Sequence, residues 1–149
     1  MPGDRPRTVR VLAGPHADAA GPDTFERLIS TTWDVGPQSD RMGLRLDGPP
    51  LDAAITPDLV SSGMVWGAVQ LPPGGRPIVL LADGPTVGGY PVVAVVASAD
   101  RPVLGQLRAG DRLRLAAVTL DEARAALRAA AQDLAEAARR LSPSTGGGD

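Results

Sequence analysis

Between two apolar runs, residues 78–81 and 92–97, lies a polar, glycine-rich segment carrying Asp83, Thr86, Gly88, Gly89 and Tyr90. A carboxylate, a hydroxyl, a phenol and the N–H groups of two glycines are the materials of a small-molecule site. Binding residues gather on loops that a rigid scaffold positions. The same spacing also describes a wide β-connection whose glycines only admit positive φ, and residue types leave both readings open. A second polar set lies upstream, in residues 37–51. Met42, Leu44 and Leu46 alternate with Gly43, Arg45 and Asp47, a period of two that turns the first three toward a core. Arg41, Arg45 and Asp47 share the opposite face. If the pleat runs back to Asp40, that carboxylate falls on the apolar side and needs a partner or a proton. If the strand starts at Met42, Asp40 closes an Asx-type turn instead.

Composition limits the chemistry around these residues. There is no cysteine, hence no disulfide, thiolate nucleophile or cysteine-ligated zinc. His16 is the only histidine, in a Gly14-Pro15-His16 turn where a solvated position is expected. A Ser-His-Asp triad or multi-histidine site within one chain would have to run through it, and no metal site is expected. All 15 basic residues are arginine. That removes the phosphate-binding lysine of a Walker A loop, the amine of a Schiff-base enzyme and the attachment lysine of a biotin carrier. ATP or biotin, where used, sits on another polypeptide. A formal charge of −2, with Phe25, Trp33, Trp66 and Tyr90 the only aromatics, gives no basic footprint for nucleic acid or membrane and no stacking platform. No apolar run approaches the roughly 20 residues of a membrane helix. MPGDRPRTVR lacks the apolar region of a signal peptide, so a cytoplasmic protein is expected.

The elements that would hold the polar sets follow from pattern. The chain has 149 residues, enough for one domain with a substantial core, and its 18 glycines and 15 prolines, scattered between short apolar runs, favour a mainly β fold. Residues 8–12 read as a half-buried strand with Val9 and Val11 inward. Residues 22–30 read as a short helix with Phe25, Leu28 and Ile29 at helical spacing, and 33–35 as a brief strand. Residues 53–62 read as a loop with a turn around Pro57-Asp58. Residues 64–71 read as a strand interrupted by Gly67. Pro72-Pro73-Gly74-Gly75 turns it back into 78–81 as a hairpin, with Gln70 just before the turn. Residues 100–107 read as a connection or one short helix, and a strand after Gly110-Asp111 turns Leu113 and Leu115 inward. Thr119-Leu120-Asp121-Glu122 matches a capping box, opening a helix over 119–141. Leu120, Leu127, Leu134 and Leu141 recur every seven residues there, an apolar stripe able to dock on its own domain or on a partner. Glu136 and Arg140 stand at i,i+4. Residues 1–7 are expected as a flexible lead, 8–141 as a single domain and 142–149 as a flexible tail.

Two segments, SDRMGLRLDGPPL (39–51) and GAVQLPPGGRPIVLLADGPTVGGYPVVAVV (67–96), now fall together. With RVLAGP (10–15) and QLRAGDRLRL (106–115) in the same order, they resemble the allophanate hydrolase subunit 2 family. That family is also called the biotin-dependent carboxyltransferase family, or the family of the 5-oxoprolinase C-type subunit. The resemblance spans residues 10–126. It implies a cyclophilin-like β-barrel with one or two short helices and the C-terminal amphipathic helix. It covers the C-terminal one of two related halves. It implies B-type and A-type partner subunits, the missing N-terminal half, ATP used by the complex, biotin on a partner, and a small-molecule amide as substrate. With one wall of a site at most, activity by this chain alone is not expected.

The family's motifs fall on Ser39, Asp40, Arg41, Met42 and Gly43, on Gln70, and on Asp83, Thr86, Gly88, Gly89 and Tyr90. By residue type and motif position, Arg41 is the candidate carboxylate clamp. Asp40 or Asp83 is a general base if buried, and Tyr90 a hydrogen-bond donor. Gly88 and Gly89 are candidates for an anion nest or oxyanion hole. Ser39, Gln70 and Thr86 complete the substrate-binding set. Alternatively, Arg41 pairs with Asp83 or Asp47 and the set only stabilises the barrel. Two functions stand side by side. In one, the chain is part of an ATP-dependent amidohydrolase or carboxyltransferase, with Arg41, Asp83 and Tyr90 in one open cleft. In the other, it is a non-catalytic regulatory module that binds a B-type partner through an exposed apolar patch such as Leu127 and Leu134.

Overall fold

A computed structural model describes residues 5–52 and 59–141. The turn expected at Pro57-Asp58, the tail 142–149 and residues 1–4 of the lead lie outside them. In chain order the elements are β1 (Arg7–Ala13), α1 (Thr24–Ser30), β2 (Thr32–Val35), β3 (Gly43–Asp47), β4 (Ser62–Gly63), β5 (Ala68–Gln70), β6 (Ile78–Leu80), β7 (Val87–Gly88), β8 (Val92–Val96), α2 (Arg101–Leu104), β9 (Arg112–Ala117) and α3 (Leu120–Leu141). A 3₁₀ turn, Ser98–Asp100, leads into α2.

Seven strands close a barrel in the order β1-β8-β5-β6-β3-β2-β9. Its pairs are antiparallel except the closing one, where β9 runs parallel to β1. This is the mainly β barrel with short helices and a terminal helix that the resemblance implies. Alternation places Val9, Val11, Leu113 and Leu115 inside, as their spacing predicts. The hairpin across 72–75 forms as β5–β6. Helix α1 packs on β9. It buries Leu28, whose carbonyl accepts the indole N–H of fully buried Trp33 at 3.0 Å.

A smaller apolar cluster lies on the opposite faces of β5, β6 and β8: Ala68, Leu80 and Val92, with Met64, Ile78 and Val95 packed against them. The two-residue strands β4 and β7 pair with each other outside the barrel.

Three expectations change. The strand expected over 64–71 is split, because Gly67 (φ +92°) turns the chain and β5 starts only at Ala68. Met42 does not face the core; it is 50% exposed, and β3 begins at Gly43. The cause is Asp40, whose Oδ1 accepts the N–H groups of Met42 (2.8 Å) and Gly43 (3.2 Å) in an Asx turn that ends the pleat. His16 is half-buried rather than solvated. Its backbone N–H donates to the Val92 carbonyl while its Nδ1 accepts the Val92 N–H, both at 3.0 Å. The imidazole thereby stands in for one rung of the β1–β8 ladder.

Helix α3 opens on the capping box its sequence predicts. Thr119 N–H donates to Glu122 Oε2 at 2.7 Å, and Glu122 N–H to Thr119 Oγ1 at 3.2 Å. The Thr119 backbone bond, followed by its hydroxyl, holds the Glu122 carboxyl below its usual value. Only the start of the helix rests on the barrel, against β1 and the 3₁₀ turn, and of its 22 residues Ala123 alone is buried. Leu127, Leu134 and Leu141 are 47%, 72% and 83% exposed. Glu136 and Arg140 pair as expected. Thr119→Ala is expected to lower the melting midpoint by about 2–4 °C, the effect of one lost cap, checked by circular dichroism melts at 222 nm.

Candidate functional site

The β3–β6 pairing brings together residues about forty positions apart. Gly43 faces Leu80 across the two strands, and the Leu81 N–H donates to the Met42 carbonyl at 3.1 Å. The segments just beyond each strand therefore leave the barrel side by side. One carries Ser39, Asp40 and Arg41; the other carries Leu81, Ala82 and Asp83. With Trp66, Leu104, Leu107 and Arg108 they enclose an open groove of about 390 Å³.

Within it, Arg41 Nε stands 3.7 Å from Asp83 Oδ2, with the two side chains 88% and 60% exposed. A pair so open to water contributes little to stability, so it does not act as a barrel strut. Ser39 is already engaged. Its Oγ accepts the Arg45 N–H at 2.9 Å and donates to the Arg45 carbonyl at 3.4 Å, tying the groove's rim to β3. Asp40 is committed to its Asx turn. Both Asp40 and Asp83 are exposed in this chain. Asp47 pairs with Arg76 (3.1 Å) instead of Arg41.

The remaining expected residues lie elsewhere. Gln70, Thr86, Gly88, Gly89 and Tyr90 are not in the walls of this groove. Gln70 points away from the barrel interior beneath the β4–β7 ribbon, with its Nε2 3.3 Å from Met64 Sδ. The Thr86 carbonyl accepts the Met64 N–H at 2.9 Å. Tyr90 is 46% exposed, so the cleft expected to unite Arg41, Asp83 and Tyr90 does not form within this chain. Neither Gly88 nor Gly89 takes a positive φ. The alternating right- and left-handed backbone of an anion nest is therefore missing.

Two groove residues were not expected from the sequence. Trp66, 37% exposed, forms one wall, and the Arg101 guanidinium stacks on its ring at 5.4 Å from the centroid. Among the described residues Arg101 Nε, which is buried, finds no hydrogen-bond partner. Arg108 supplies a second cation at the rim. The sole sequence signal for this wall is an exposed tryptophan beside a strand-breaking Gly67; Arg108 has none, since barrel closure delivers it. Among the described residues no group of three or more His, Asp or Glu side chains could hold a metal ion. No helix among them is long and apolar enough to cross a membrane.

The groove thus offers two guanidinium groups, one held by a displaceable carboxylate, beside an aromatic wall. It suits a small carboxylate-bearing molecule.

Comparison with known proteins bears on this arrangement. A family model described as carboxyltransferase domain, subdomain A and B, matches residues 1–117. The C subunit of 5-oxoprolinase from Haemophilus influenzae is 43% identical over 91 residues, covering 61% of this chain and 29% of that protein. The C subunit of 5-oxoprolinase from Escherichia coli is 39% identical over 118 residues, covering 77% of this chain and 37% of that protein. The crystal structure of the K. lactis urea amidolyase superposes with a TM-score of 0.76 at 28% identity, covering 85% of this chain and 8% of that one. The chain spans about a third of the length of the two bacterial relatives.

Proposed function

The chain belongs to the carboxyltransferase domain family, subdomain A and B, and from that premise we propose that it supplies one wall of the substrate site in a multi-chain enzyme. That enzyme is an ATP-dependent amidohydrolase of the 5-oxoprolinase type, or a biotin-dependent carboxyltransferase. The single observation that carries this reading is the exposed Arg41–Asp83 pair at the mouth of the groove. Its substrate is a small amide that also bears a carboxylate. Arg41 exchanges Asp83 for that carboxylate, a charge-assisted bond that a planar guanidinium can make in two parallel contacts. Trp66 gives the substrate an apolar face, and Arg108 adds positive potential at the rim. ATP, and biotin where it is used, are bound by A-type and B-type partner chains. The rest of the site comes from the family's other half. Positioning, not proton transfer, is this chain's contribution.

A second reading has its own observation, the leucine stripe of α3 left open to water. On that reading the chain is a regulatory module that binds a B-type partner and catalyses nothing. One experiment separates the two. The chain is co-expressed with A-type and B-type partners and the family's other half, and phosphate release is measured with and without 5-oxoproline. Substrate-dependent release that requires this chain supports the first reading. A stable complex whose turnover is the same without it supports the second.

A further inference from the structure

Helix α3 carries its apolar stripe beyond the barrel. Leu120, Leu127, Leu134 and Leu141 fall at one inward position of a heptad, and Ala123, Ala130 and Ala137 at the other. The first part of this seam is used within the chain. Ala123 is buried, and Leu120 and Leu127 line a crevice between the helix and the barrel residues Leu12 and Val95. The second part is not. Every residue from 127 to 141 is exposed, Leu134 and Leu141 among them. A lone exposed leucine is ordinary, whereas leucines and alanines at heptad spacing form one strip of a coiled coil.

Charge and side-chain size select what covers that strip. In residues 130–141 the acidic Asp133 and Glu136 come first and the basic Arg139 and Arg140 follow. A second copy laid antiparallel sets acid against base and opposes the helix dipoles; a parallel copy sets like against like. Packing agrees. In an antiparallel pair the leucine position of one helix faces the alanine position of the other, so every layer holds one large and one small side chain. A parallel pair would stack leucine on leucine and alanine on alanine, leaving gaps at the alanine layers. Charge also fixes the register. With Leu134 on Ala137 and Leu141 on Ala130 of the other copy, Asp133 stands beside the other copy's Arg140, twice by symmetry. On the opposite flank Ala131 meets Ala138, which lets the helices approach closely. Sliding one heptad toward greater overlap would set Asp133 against Asp133 and require Ala123, already buried against its own barrel. Arg140 pairs with Glu136 within the chain, and an open depression lined by Asp133, Glu136, Ala137 and Arg140 marks the flank where the second carboxylate would enter.

We propose that residues 130–141 of α3 are a dimerisation seam, which pairs antiparallel with the same segment of a second copy of this chain about a two-fold axis. Leu134 packs on Ala137 and Asp133 pairs with Arg140 across that axis. The overlap is about 18 Å long, short for a standard interface. The dimer is therefore reversible, with a dissociation constant of about 10–100 μM. This seam is separate from the Arg41 groove and does not depend on its role.

The test is sedimentation velocity of the whole chain from about 5 to about 500 μM, a range that brackets that constant. A shift from monomer to dimer is expected. Leu134→Glu keeps helix propensity, so the 222 nm signal of the dilute chain should not change, while association weakens by about a hundredfold or more. Asp133→Arg and Arg140→Asp should each weaken it by about tenfold. Mixing these two variants, or placing both substitutions in one chain, restores opposite charges across the seam and should recover most of the affinity. A merely structural role for either residue would not produce that rescue. The proposal is overturned if the chain stays monomeric throughout the range, if Leu134→Glu or the single charge variants associate like the parent, or if the combined variant stays as weak as the single ones. A chain that is monomeric alone but needs Leu134 to hold a B-type partner would also overturn it, and would assign the stripe to that partner.

Discussion

Asp100→Ala is expected to lower the melting midpoint by about 5–10 °C, from a loss of about 2–3 kcal/mol at about 2–4 °C per kcal/mol. Asp100, 6% exposed, binds Arg10 three times. Oδ2 accepts the Arg10 backbone N–H at 2.7 Å and Nε at 2.8 Å, and Oδ1 accepts Nη2 at 2.5 Å. These bonds clamp the start of α2 to the middle of β1, where the barrel closes and α3 takes its footing. Removing the carboxylate leaves a main-chain donor unpaired, but the Arg10 side chain is 41% exposed and regains water, which keeps the loss below that of a fully buried pair. Burial pushes the Asp100 carboxyl up, yet the Arg10 side-chain bonds and then its backbone bond outweigh this and hold it below the ordinary 3.8. The folded value is thus the lower one. The stabilisation is complete above the ordinary carboxylate range and is lost as pH falls through the folded value. Wild-type melting midpoints should fall more steeply than those of Asp100→Asn as pH is lowered from about 5 toward about 3, with the two curves converging in acid. Parallel curves would deny the linkage.

Much of the barrel is legible in the sequence because its signals are local. Alternation over Val9–Val11 and Leu113–Leu115, the Pro72–Gly75 turn and the Thr119–Glu122 box each report on a few neighbouring residues, and each is found in place. Met42 is misread because alternation cannot say where a strand starts; a side chain outside the pattern, Asp40, ends it. His16 is misread because its partner, Val92, is 76 residues away. The site divides the same way. Family motifs name Arg41 and Asp83, and strand pairing brings them together. The motif that carries Asp83 also carries Gly88 and Tyr90, yet the ribbon turns these to a different face. Arg108 enters the groove only through barrel closure, which no local pattern encodes.

Arg41→Ala is expected to reduce substrate turnover of the assembled complex by about 10²–10³-fold, the order lost when a charged partner is removed from one end of a bound substrate. The fold should not notice. An ion pair this exposed is worth at most about 1 kcal/mol, so the melting midpoint should move by no more than about 4 °C. Arg41→Lys keeps the charge without the planar fork and should recover part of the loss. Asp83→Asn frees Arg41 and should tighten substrate binding, lowering KM more than it changes kcat. The most direct measurement is therefore 5-oxoproline-dependent phosphate release by the reconstituted complex carrying wild-type or Arg41→Ala chain, read beside the melting midpoint of each. The account predicts loss of turnover with the fold intact; wild-type turnover in the Arg41→Ala complex would contradict it.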